Sequence, residues 1–133
     1  MDKIKILIVD DEQDFLVQAE SNLKKTNKYE VKVLLNGTQA VAVAREFKPD
    51  LILLDIVMPD MDGGEVARLI KAEVGLEDIP IVFLSALISG EKESPKDQYL
   101  YFEKQEFIKK LAHKDQLVEC IDTLLLHHRR KFS

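Results

Sequence analysis

With 133 residues, 46% hydrophobic and 32% charged, the chain has the length of one domain and the composition of an ordinary globular fold with its own core. A net charge of −5 argues against nucleic acid as a main partner, because phosphate contacts need basic surface. Cys120 is the only cysteine, which excludes a disulfide within the chain and a thiolate metal cluster. No apolar run approaches the ~20 residues of a membrane span, and the charged N-terminus is unlike a secretory signal, so a cytoplasmic location without membrane contact is expected.

In chain order, Lys3 to Val9 is a nearly continuous aliphatic run, as expected of a strand buried on both faces, and it leads into Asp10-Asp11-Glu12. From Asp14 to Lys25 the apolar spacing changes, with Phe15, Ala19 and Leu23 recurring every four residues, which predicts a helix. Tyr29 to Leu35 alternates and predicts a second strand. Asn36-Gly37-Thr38 is a turn signal that also offers a helix cap. Ala40, Val41, Ala44 and Phe47 form a helical stripe ended by Lys48-Pro49. Leu51 to Asp55 is the third strand, followed by a loop from Met58 to Gly64. Val66, Leu69 and Ile70 mark a helix that stops near Gly75, and Ile79 to Ser85 is a fourth strand entered through Pro80.

Beyond Ser85 the pattern weakens. Leu87 to Glu93 is irregular, and Ser94-Pro95-Lys96-Asp97 has the grammar of a helix start: serine as cap, proline first, an acid in the first turn. A short helix ending before Glu106 is therefore expected, with Tyr99, Tyr101 and Phe102 as its packing face or as a partner surface. Glu106-Phe107-Ile108 is a brief fifth strand. A final amphipathic helix runs from about Lys114 to His128, with Leu117, Cys120, Ile121, Leu124 and Leu125 inward.

Strands and helices that alternate in this way imply an α/β fold whose parallel sheet is covered on both faces. The expected architecture is a flavodoxin-like doubly wound five-stranded parallel sheet, order 2-1-3-4-5, with about five helices. That order sets strands one and three side by side and gathers Asp10, Asp11 and Asp55 at the carboxyl edge, where such sheets bind ligands. Neighbouring carboxylates repel unless a cation or a shared proton intervenes, so the cluster reads as a metal site with a spare carboxylate oxygen. Alone, a strand-end aspartate such as Asp10 is as often a simple cap of the next turn; with Asp11, Asp55, Ser85 and Lys110 expected at the same sheet edge, the active-site reading prevails.

The segments Ile6-Leu7-Ile8-Val9-Asp10-Asp11-Glu12, Leu51-Ile52-Leu53-Leu54-Asp55-Ile56-Val57-Met58-Pro59, Met61-Asp62-Gly63, Leu84-Ser85-Ala86 and Phe107-Ile108-Lys109-Lys110 resemble the receiver domain of two-component response regulators. The resemblance covers almost the whole chain. It implies that a histidine kinase or phosphotransfer protein donates a phosphoryl group to Asp55. It also implies a Mg2+ cofactor held by Asp11 and Asp55 directly, by Asp10 through water, and by the backbone carbonyl of Val57. Mg2+ keeps several waters, so this small set suffices. Ser85 matches the hydroxyl that binds a phosphoryl oxygen, Lys110 rather than Lys109 matches the lysine that pairs with the phosphate, and Phe107 matches the switch aromatic. The implied protein is a signalling switch and not an enzyme in the usual sense, with self-catalysed phosphotransfer and slow autodephosphorylation only. Residues 1–128 would be the receiver and 129–133 a basic tail or the start of a linker. A homodimer or a downstream effector would read the switch, with no direct nucleic-acid binding by this chain. The alternative is a pseudo-receiver acting as a phosphorylation-independent scaffold. A phosphatase of the haloacid dehalogenase type would want an aspartate where Val57 stands.

Three departures from the family pattern are visible. Leu111 follows Lys110 where the family has proline, and a cis bond without proline costs about 2.5–4 kcal/mol, so a trans bond is expected. The stretch from Leu87 to Gln105 lacks the family's small residues, so its partner mode cannot be borrowed. Val57 and Leu87, two residues beyond Asp55 and Ser85, are apolar and cannot orient a hydrolytic water, which predicts slow loss of the phosphoryl group.

Overall fold

The computed structural model describes residues 3–59, 61–85, 99–102, 105–109 and 114–132. Its elements are β1 (Ile4–Val9), α1 (Gln13–Lys25), β2 (Tyr29–Leu34), a 3-10 turn (Gly37–Gln39), α2 (Ala40–Phe47), β3 (Leu51–Asp55), α3 (Gly63–Lys71), β4 (Ile81–Ser85), β5 (Tyr99–Phe102), β6 (Gln105–Lys109) and α4 (Lys114–Phe132). One sheet joins the strands in the order β2-β1-β3-β4-β6-β5. All neighbours are parallel except the β5–β6 pair.

The continuous apolar strands are explained by two cores. Side chains alternate across a sheet with period 2. Ile6, Ile8, Leu51, Leu53, Val82 and Leu84 therefore face Leu16, Ala19 and Leu23 of α1 and Leu117, Cys120, Ile121 and Leu124 of α4. Leu7, Val9, Ile52, Leu54, Ile81 and Phe83 face Ala40, Ala44 and Phe47 of α2 and Val66, Ala67 and Ile70 of α3. Inward positions expected for the last helix are buried, with Leu125 packed at the cluster margin. Across the first core, Lys28 Nζ bonds Asp122 Oδ1 at 2.9 Å and the Tyr29 hydroxyl donates to the same carboxylate, tying the start of β2 to α4.

Local chemistry sets the boundaries. Asn36 Oδ1 accepts from Thr38 N at 3.2 Å and from the Thr38 hydroxyl at 2.7 Å, capping the 3-10 turn as the sequence predicts. Lys48 closes α2 in the left-handed region (φ 53°), its N–H bonding Ala44 O at 2.9 Å just before Pro49. β4 starts at Ile81 and not Ile79, because Ile79 N–H is taken by Leu76 O in a turn.

The distal half corrects two expectations. Tyr99–Phe102 is a strand, antiparallel to β6, in place of the body of the short helix; the stretch beginning at Ser94 lies outside the described residues. Aromatic residues favour the pleated surface, and pairing of Phe102 with Gln105 leaves only two residues for the connection. The sheet is thus six-stranded and mixed: its parallel part keeps the expected order, and β5 is added at the edge. Among the described residues there are four α-helices and one 3-10 turn where about five helices are expected. The last helix continues past His128 to Phe132.

Candidate functional site

The register of β1 with β3 ends at Val9 opposite Leu54, so Asp10 and Asp55 are the next positions on adjacent strands. They continue the parity of Ile6/Ile8 and Leu51/Leu53, which is why both carboxylates arrive on one side. Asp10 is fully buried, Asp55 is 5% exposed, and Asp11 is exposed at the rim. One carboxylate oxygen from each of the three lies within 4.8 Å of the others.

Main-chain hydrogen bonds fix the two loops that carry these residues. Asp10 Oδ1 accepts from Glu12 N at 2.8 Å, and Asp10 N–H bonds Leu34 O at 3.0 Å, fixing the turn from β1 into α1. On the β3 side, Ile56 N–H reaches Leu84 O at 3.3 Å, and Ile56 O accepts from Gly63 N at 2.8 Å, so the loop closes on itself at the start of α3. Asp62 caps that helix, its Oδ1 accepting from Glu65 N at 2.8 Å. Met58 is buried in the second core while Val57 is 62% exposed, so the loop is anchored one residue beyond an open side chain.

Two ionised carboxylates at this separation repel by on the order of 3 kcal/mol at an effective dielectric of ~20. A bound cation reverses that sign and becomes the largest local charge. The donors are all hard oxygens, which suits Mg2+, and octahedral coordination at about 2.1 Å separates ligand oxygens by about 3–4 Å, a span the cluster nearly has. The residues fit the ion.

Of the remaining predicted site residues, Val57 follows Asp55 by two on the loop just described. Ser85 is the last residue of β4, one beyond Leu84, which pairs with Asp55; its backbone is at the same sheet edge. Phe107 lies on β6 opposite Phe83, and Lys109 ends β6 opposite Ser85. Lys110, its bond to Leu111, and Leu87 lie outside the described residues. The structure thus brings Asp10, Asp11 and Asp55 together and sets the Ser85 backbone beside them. Sequence reasoning passes over Gly63 and Asp62 as parts that hold this edge; a capping aspartate followed by glycine at the first helical position is the signal available for them.

The family model for the response regulator receiver domain matches residues 6–122. A probable cyclic di-GMP phosphodiesterase of Vibrio cholerae is 39% identical over 98 residues, which is 74% of this chain and 21% of that protein. The N-terminal domain of a response regulator receiver protein from Methanoculleus marisnigri is 30% identical in its crystal structure, with a TM-score of 0.66 over 91% of this chain and 95% of that one. The N-terminal domain of a response regulator/sensory box/GGDEF three-domain protein from Carboxydothermus hydrogenoformans is 27% identical, with a TM-score of 0.73 over 97% and 99%. The chain spans 21% and 35% of the length of two curated relatives it matches.

Proposed function

The chain belongs to the response regulator receiver domain family, and from that membership we propose that it accepts a phosphoryl group on Asp55 from a histidine kinase or phosphotransfer protein, with Mg2+ at the acidic cluster. Convergence of Asp10, Asp11 and Asp55 within 4.8 Å, two of them buried, is the observation that carries the proposal.

Asp11 and Asp55 would hold the ion directly, Asp10 through water, and Val57 through its backbone carbonyl. When bound, Mg2+ neutralises charge on the phosphoryl oxygens. Asp55 acts as the nucleophile: its carboxylate oxygen forms the bond to phosphorus as the donor's phosphorus–nitrogen bond breaks, leaving an acyl phosphate here and a histidine there. Burial of all but 5% of Asp55 limits the water around it, and its place at the end of β3 sets it at the ligand-binding edge of the sheet. In this reading Ser85 donates its hydroxyl to a phosphoryl oxygen, the Lys110 ammonium pairs with the phosphate, and Phe107 follows the Ser85 shift. The product is a signal rather than a released metabolite. The curated relatives are longer than this chain, which supports an effector domain as reader, a second copy being the other candidate; among the described residues no helix is long and apolar enough to cross a membrane.

Radiolabelled acetyl phosphate tests the proposal. Label should enter the native chain only with Mg2+, and Asp55→Asn should abolish it. Undiminished labelling of Asp55→Asn would contradict the acceptor assignment, and no labelling of the native chain would favour the phosphorylation-independent scaffold.

A further inference from the structure

We propose that Gly63 is a positioning residue for the acidic site, acting through the backbone of Asp55; the inference rests on the metal-site reading above. A Cβ at Gly63 would overlap the Asp55 carbonyl oxygen and come within 3.0 Å of the Asp55 carbonyl carbon and of Ile56 Cα. Everything in the way is main chain, so no rotamer can yield. Gly63 N–H also donates to Ile56 O at 2.8 Å, so the first residue of α3 both touches and clamps the peptide that carries the acceptor.

The strain of a methyl group there falls unevenly on the site. Asp55 and Val57 belong to the segment that Gly63 presses on, whereas Asp10 and Asp11 follow β1 and contribute none of the three atoms nearest the added Cβ. A side chain at 63 would therefore shift one part of the donor set relative to the other. Groups that orient metal ligands without touching the ion typically affect affinity by about 10- to 100-fold. Asp62 acts in the same chain of contacts, because its cap on Glu65 N fixes where α3 begins.

Gly37 provides the control. A Cβ there meets Val66 Cγ2 at 2.5 Å, Met58 Cε at 3.5 Å and Met61 O at 3.7 Å, so its one severe clash is with a core side chain of α3 and not with the Asp55 main chain; the cost is expected in stability. Mn2+ alone is the probe, titrated into the full chain with free ion counted by its EPR signal. Gly63→Ala should weaken binding about 10- to 100-fold, while Gly37→Ala stays within a factor of about two despite any loss of thermal stability. Binding by Gly63→Ala as tight as the native chain would overturn the inference, as would an equal loss in Gly37→Ala. Should Gly63→Ala fail to fold, Asp62→Ala and Asp62→Asn decide, since both remove the charge and only asparagine keeps the cap: Ala weaker with Asn restored supports the role, and equal affinities refute it. Failure of the metal-site reading itself would look different, because native chain and Asp11→Asn would then bind Mn2+ alike.

Discussion

Val57 and Met58 are adjacent in sequence and opposite in environment, and that contrast sets how the site meets water. Met58 is 6% exposed and pins the loop, leaving Val57 open to solvent two residues beyond Asp55. An apolar group there can shield an acyl phosphate but cannot orient a water. Val57→Asn combined with Leu87→Glu should therefore shorten the phosphoryl half-life several-fold, followed as decay of labelled protein; an unchanged half-life would show that neither side chain controls water access. Cys120 shows the same logic in the core. Burial, and secondarily the Glu119 charge, pushes its thiol up to about 11 from 9.0. The folded chain thus keeps a proton that the unfolded chain loses above pH 9, so this contribution to stability is full below that pH and is lost as pH rises toward 11. Urea midpoints from pH 8 to 11 should fall less steeply for Cys120→Ala, and alkylation of the native thiol at pH 8 should be slow. At this scale the sequence is eloquent about carboxylates and silent about glycine: Asp10, Asp11 and Asp55 stand out because charge seldom ends an aliphatic run, whereas what Gly63 touches depends on a fold that brings α3 back onto β3.

Among the elements, those with strong periodicity are legible and the one with conflicting signals is not. β1, β3 and β4 declare themselves because two-sided burial demands uninterrupted aliphatics, and β3 is predicted to the residue. The segment after Ser94 carries a helix-start grammar followed by Tyr99-Leu100-Tyr101-Phe102, whose aromatics prefer a strand. Glu103-Lys104 lacks the Asn-Gly or Asp-Gly signature that would have announced a hairpin, so cap grammar outweighs strand preference on paper and pairing with β6 outweighs it in the fold. The link between β2 and α4 is likewise invisible in sequence, because Tyr29 and Asp122 are 93 positions apart. Tyr29→Phe removes one hydrogen bond while Lys28 still faces a partly exposed Asp122, so a loss of about 1 kcal/mol in unfolding free energy is expected by urea titration. No measurable loss would mean that Lys28 and solvent satisfy Asp122 unaided.

For the whole molecule, the two cores and the site share a single cause. Parallel strands covered on both faces must end at one common edge, and strand order decides which ends are neighbours. Placing β3 next to β1 turns two unremarkable strand-end acids into a buried pair with Asp11 at its rim. The order is inferable from alternation and right-handed crossovers, so the acidic cluster is legible before any coordinates. How the far edge beyond β4 would report phosphorylation is not, because there the chain adds an antiparallel strand to the parallel pattern. Asp55 is the residue proposed to carry the phosphoryl group. Borohydride trapping after Mg2+ and acetyl phosphate treatment, followed by peptide mass mapping, reads that residue directly. The modification should map to Asp55 and vanish when Mg2+ is withheld; a modification mapped to Asp10, Asp11 or any other position, or one formed equally without Mg2+, would contradict it.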